Sequence, residues 1–163
     1  MTTLAVVRNI GSAAALRSDD DIAAFAQEII DQYALAMAAA GLTDGYVSDT
    51  RRVIFEFAAS LSGPLWSGTC DDADRFLNEQ RRVGNAPSTR STKAAMLAQF
   101  YAFVIARYQG DIHVLTGWVV EQPIDEFNKP ASMLVGRVRV PPDRKSTRLN
   151  SSHSTLSRMP SSA

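Results

Sequence analysis

Two stretches of the chain set hydroxyl groups and cations immediately ahead of an aromatic-rich apolar run. The first is Gly45-Tyr46-Val47-Ser48-Asp49-Thr50-Arg51-Arg52, and the second is Ala86-Pro87-Ser88-Thr89-Arg90-Ser91-Thr92-Lys93. Phosphate oxygens accept hydrogen bonds from Ser and Thr hydroxyls, from free N–H groups at helix starts, and from Arg and Lys. A helix start favours acids, not cations, so a negatively charged partner would relieve the awkward charge. Ser48, Thr50, Arg51, Arg52, Ser88, Thr89, Arg90 and Lys93 are therefore candidate contacts to a polyanion. Plain N-capping with solvated basic residues is the competing reading. Arg137 and Arg139, in the alternating stretch Met133–Pro142, extend the candidate set.

Other chemistry lacks a constellation. Cys70 is the single cysteine, which excludes an intramolecular disulfide and a Cys-rich zinc site. Gly11 stands alone, and Gly41 with Gly45 lacks the Gly-Lys-Ser/Thr ending of a phosphate loop. No metal-ligand spacing and no nucleophile–base pair is present. His113 reads as a satisfied or exposed side chain. No cofactor is expected, and a small standalone enzyme is the least supported class.

The chain has 163 residues, of which 45% are hydrophobic. That is enough for one packed domain. No apolar run approaches the roughly 18 residues that a spanning helix needs. Met1–Ile10 has only the apolar run Leu4–Val7 without a basic region before it. A membrane partner and a secretory signal are therefore not expected, and the reading is a cytoplasmic protein.

The zero formal charge averages two unlike segments. Residues 1–142 hold 13 Lys/Arg against 16 Asp/Glu, and residues 143–163 hold four Lys/Arg against Asp143 alone. The latter segment has seven serines and no aromatic residue. Such a composition cannot offset the entropy of ordering, so a disordered C-terminal tail is expected. Its text, DRKSTRLNSSH over Asp143–His153 and SRMPSSA over Ser157–Ala163, resembles the in-frame translation of a short-read sequencing adapter around a barcode-sized gap. The expectation is that natural coding sequence stops near Pro142 and that a further C-terminal part is missing.

The rest reads as helices. The first begins at Asp19-Asp20-Asp21 and carries Ile22, Phe25, Ile29, Tyr33 and Met37 at helical spacing, with Gly41 as its stop. The second follows Thr43-Asp44-Gly45, with Ser48 or Asp49 as cap. Its stripe is Val47, Ile54, Ala58 and Leu61, flanked by Phe55 and Phe57, and it ends by Gly63-Pro64. The third runs from about Asp71 to Val83, acids first and arginines last, with Phe76, Leu77 and Val83 toward the core. The fourth opens at Pro87-Ser88-Thr89 with Ser88 as N-cap. It buries Ala95, Met96, Phe100, Phe103, Val104 and Tyr108 and ends at Gly110, with Asp111–Gly117 forming one further turn or two. The fold class is thus all-α: a compact four- to five-helix domain over 19–130. A flexible arm (1–18), the start of a linker (131–142) and the tail (143–163) flank it.

In this order the helices resemble the amino-terminal core-binding domain of tyrosine recombinases, the phage-integrase family. Val47-Ser48-Asp49-Thr50-Arg51-Arg52 with Phe55 and Phe57 resembles the family pattern S-x-x-T-x-x-x-Y-x-x-x-L-x-x-F. Pro87-Ser88-Thr89-Arg90 with Leu97, Phe100, Tyr101 and Phe103 resembles S-x-x-T-x-x-x-x-L-x-x-L-R-x-F-Y-x-F. Gly117–Pro130 looks like the exit segment of that domain, with Gln122-Pro123 where Asn-Pro is commoner. The resemblance implies a helical clamp on one side of duplex DNA. It also implies a second domain, absent from this chain, that carries the Arg, Lys, His-x-x-Arg, His/Trp and nucleophilic Tyr of DNA integration and recombination, in a parent that oligomerises on its site. Tyr33, Tyr46, Tyr101 and Tyr108 read as packing or surface residues, so the chain itself is not expected to be an enzyme. The alternative is an all-α protein–protein interaction module without DNA binding.

Overall fold

A computed structural model describes residues 16–129. Among them there are four α-helices and no strand: α1 (Asp19–Ala39), α2 (Asp44–Ser60), α3 (Cys70–Arg82) and α4 (Pro87–Thr116). A short 3-10 turn, Leu65–Ser67, joins α2 to α3. The all-α expectation holds. The arm before residue 16, the linker and the Ser-rich tail lie outside the described residues.

Local chemistry sets the starts of three helices. Ser18 caps α1 in a capping box: its Oγ accepts from the Asp21 N–H, and the Asp21 carboxylate accepts from the Ser18 N–H. Thr69 and Asp72 repeat this at α3. Thr43 caps α2 by accepting from the Tyr46 N–H. This corrects the expected cap at Ser48 or Asp49, which lie inside the first two turns. The extended backbone of Thr43 sets the start earlier than the apolar stripe suggests. Gly41 adopts φ +86 just after α1, a left-handed conformation suited to glycine.

The start of α4 is built differently. Its cap position is Ala86, without a side-chain hydrogen bond, and Pro87 is its first residue. Ser88, expected to cap, is the second helical residue, because proline's fixed φ starts the helix by itself. At the far end α4 runs through Gly110 to Thr116 and closes on Gly117 at φ +75. The expected stop at Gly110 is overridden because Tyr108 and Ile112, on either side of it, are both buried.

α4 is the spine of the core. Met96, Leu97, Phe100, Tyr101, Val104, Tyr108 and Ile112 are all buried. Edge-on aromatic pairs join it to its neighbours: Phe100 with Tyr33 at 5.4 Å, Tyr101 with Phe57 at 6.0 Å, and Tyr108 with Phe25 at 6.3 Å between centroids. Details of the expected core are corrected: on α4 the buried alanine is Ala94, with Ala95 and Phe103 half-buried. Phe57 is fully buried while Phe55 is exposed, so the α2 stripe is Thr50, Val53, Ile54 and Phe57. Val83 lies beyond the last turn of α3 and is exposed.

The contacts also fix direction. Phe25 meets Tyr108 and Tyr33 meets Phe100, so α1 and α4 are antiparallel. Asp31 pairs with Arg51 across the tight α1–α2 turn, and the groove from Ile22 to Ile30 is walled by Phe55, Ala58 and Leu65, so α1 and α2 are antiparallel too. Gln80 meets Lys93 just past the α3–α4 turn, Gly84 to Ala86, which reverses α4 against α3. The starts of α2 and α4 and the ends of α1 and α3 therefore share one end of the bundle.

Candidate nucleic-acid interface

That shared end holds Arg81 and Arg82 in the last turn of α3 and Arg90 and Lys93 in the early turns of α4, with Arg51 and Arg52 midway along α2; Arg17, Arg75 and Arg107 lie toward the other end. The opposite end holds the acid runs: Asp19, Asp20 and Asp21 at the start of α1, and Asp71, Asp72 and Asp74 at the start of α3. Each acid run also suits its own helix dipole. Residues 16–129 carry 10 Lys/Arg and 16 Asp/Glu, so a net negative unit still presents a basic pole.

The basic pole is not uniform. Ser88 and Thr89 are exposed in the first turn of α4, where no acid and no capping side chain engages the free N–H groups. Arg90 is half-buried, and its Nε is buried without a hydrogen-bond partner. Arg82 pairs with Glu79 at 3.3 Å on an open surface, where an ion pair contributes about 0–1 kcal/mol and exchanges readily for a stronger anion.

The α2 start is more occupied. Arg51 pairs with Asp31 of α1 at 2.7 Å, and Arg52 pairs with Asp49 at 2.9 Å. The two arginines therefore face different neighbours. Ser48 is exposed. Thr50 is fully buried, and its hydroxyl donates to the Tyr46 carbonyl at 2.8 Å. This removes Thr50 from the contact candidates, because a hydroxyl that returns to its own helix inside the core has nothing to offer a partner. The two starts are also staggered. Lys93, six residues into α4, meets Glu56, twelve residues into α2. Arg137 and Arg139 lie outside the described residues.

Arg81 and Arg82 were readable only as dipole complements from sequence; the α3–α4 turn makes them neighbours of the α4 start. Nucleophile chemistry gains nothing from the structure. Burial, with Asp125 nearby, pushes the Cys70 thiol up, the opposite of what a reactive thiolate needs. The Cys70 thiol donates weakly to the Gln122 carbonyl at 3.6 Å. Tyr101, expected as packing, is wholly buried. Among the described residues no group of His, Cys, Asp and Glu could hold a metal ion, and no helix is long and apolar enough to cross a membrane.

Compared with known proteins, the chain matches no family model, no curated protein and no solved structure.

Proposed function

We propose that this helical domain binds duplex DNA through its basic pole, as the DNA-clamping part of a site-specific integrase of the tyrosine recombinase type. The observation that supports this reading is the segregation of charge along the bundle. Arg81, Arg82 and Arg90 surround a helix start with free N–H groups, while the acid runs of α1 and α3 lie at the other end. Such an end holds phosphates by charge and by hydrogen bonds from backbone and hydroxyls, without reading bases. Strand cleavage and rejoining would belong to a further domain carrying the nucleophile, so this chain binds and does not cut. A cytoplasmic setting and assembly of the parent on its DNA site belong to the same proposal.

The test is fluorescence anisotropy of the full chain with a labelled duplex across a salt series. Binding is expected to be weak and to fall linearly on log axes, with a slope near 0.9 per phosphate neutralised. Arg81→Ala, Arg82→Ala and Arg90→Ala together are expected to flatten that slope. Absence of binding at high micromolar protein, or an unchanged slope in the triple variant, defeats the reading.

A second reading, a protein-docking module, is favoured by one observation: Val114, Trp118 and Val119, at the close of α4 and just beyond it, are exposed. Contiguous exposed apolar surface marks contact sites. Trp118→Ala with unchanged DNA binding and loss of a pulled-down partner would favour it.

A further inference from the structure

Lys93 has the sequence signature of a phosphate contact, yet its ammonium is already engaged. It donates to Glu56 Oε2 of α2 at 2.5 Å and to Gln80 Oε1 of α3 at 2.8 Å. It also sits 6.0 Å from the centroid of the Phe76 ring, at the outer range of a cation–π contact. Gln80 Oε1 accepts a second hydrogen bond, from Asn85 Nδ2 at 2.7 Å, in the turn between α3 and α4. The Lys93 side chain is only 15% exposed. One cation thus ties three helices and the turn that Arg81 and Arg82 precede and Arg90 follows.

We infer that Lys93 is a positioning residue: it holds the α3–α4 corner in register against α2 so that Arg90, Ser88 and Thr89 meet a phosphate together, and it does not touch the phosphate itself. The inference rests on the DNA-binding reading for its consequence and on the network alone for its structural part. Pulling Lys93 out to a phosphate would strip Glu56 of its paired cation and leave Gln80 with Asn85 alone. An ion pair between helices in a half-buried site resists such exchange more than an open pair like Arg82–Glu79 does.

The experiment compares Lys93→Met, which keeps the apolar stem over Phe76, with Lys93→Arg and Arg90→Ala. Each is measured by anisotropy across a salt series and by amide hydrogen exchange. For Lys93→Met the expected result is about tenfold weaker binding at fixed salt with an unchanged slope, because slope counts phosphates neutralised. Faster exchange over Gly84–Lys93 is expected with it, and Lys93→Arg is expected to recover part of both. Arg90→Ala is expected to lower the slope by about 0.9 and leave exchange alone. A slope lowered in Lys93→Met as in Arg90→Ala would make Lys93 a contact and overturn the inference. Unchanged affinity and unchanged exchange would overturn it too. If the wild-type chain binds no duplex, the DNA-binding reading fails by itself, and exchange over Gly84–Lys93 decides the tie. Should Lys93→Met not fold, Gln80→Ala carries the same measurements, since it removes the acceptor that links Lys93 to Asn85.

Discussion

The hydroxyl of Tyr101 donates to the main-chain carbonyl of Leu65 at 2.5 Å, inside the core. The bond crosses from the middle of α4 to the 3-10 turn and fixes how the α2–α3 connection lies on the spine. Tyr101→Phe removes the donor and leaves a buried carbonyl without it. The expected cost is about 1–3 kcal/mol, read as a lower urea midpoint with an unchanged slope.

Gly68 is set by that same hydroxyl. A Cβ at Gly68 would stand 2.5 Å from Tyr101 Oη and 3.1 Å from Phe57 Cε1. The backbone there, at φ −58, suits any residue, so the restriction is one of space. Gly68→Ala is expected to destabilise by about 1–3 kcal/mol through overpacking. Combined with Tyr101→Phe, which removes the nearest atom, the two losses are expected to sum to less than their separate values. Chemical denaturation of the four proteins of this cycle checks it, and strict additivity would contradict the geometry.

Alkaline unfolding follows from two buried phenols. Burial, with Tyr46 nearby, pushes Tyr33 up to about 12. Burial, with Asp72 nearby, pushes Tyr101 higher still. In the unfolded chain both ionise near 10. Folded values above the unfolded one mean that the stabilisation is complete below pH 10 and is lost as pH rises from there through about 12. Circular dichroism against pH, with tyrosinate absorbance followed in parallel, is expected to show unfolding and ionisation together. Tyr33→Phe is expected to shift unfolding to higher pH.

At the acid side the α1 cap responds in the opposite sense. The Asp21 carboxylate is held below its usual range by N–H donation from Arg17, then by the Ser18 hydroxyl and the Ser18 N–H. Its help to the helix start is present above pH 3.8 and is lost as pH falls through the lowered folded value. Amide exchange in the first turn of α1 is expected to quicken over that range in the wild type. Asp21→Asn is expected to show the quickened rate already at neutral pH.

Much of this bundle is legible in the residues. The spacing of Ile29, Tyr33 and Met37, and of Met96, Phe100, Val104 and Tyr108, identifies the two most buried faces directly. Boundaries were less legible, because local signals compete. Ser88 is a good cap by type, but Pro87 one position earlier starts the helix. Gly110 is a good stop by type, but burial of Ile112 carries the helix past it. On α2 the residues leave Phe55 and Phe57 equivalent, because both are equally apolar, and only packing against Phe76 and Tyr101 selects Phe57. The cations of the candidate interface were legible as residues. Their engagement was not, because Asp31, Glu56 and Gln80 come from other helices. The two charged ends were illegible for the same reason: each helix alone shows only its own dipole pattern, and antiparallel packing is what sums them.

Gly117 closes α4 with a left-handed turn, its N–H bonded to His113 at 2.8 Å. The backbone then doubles back, with Gln122 donating to Ala98 and with Pro123 and Ile124 buried beside Cys70 at the head of α3. The last described residues are therefore held beside the head of α3, at the end of the bundle that carries the acid runs, with Asn128 Nδ2 donating to the Pro123 carbonyl at 2.7 Å.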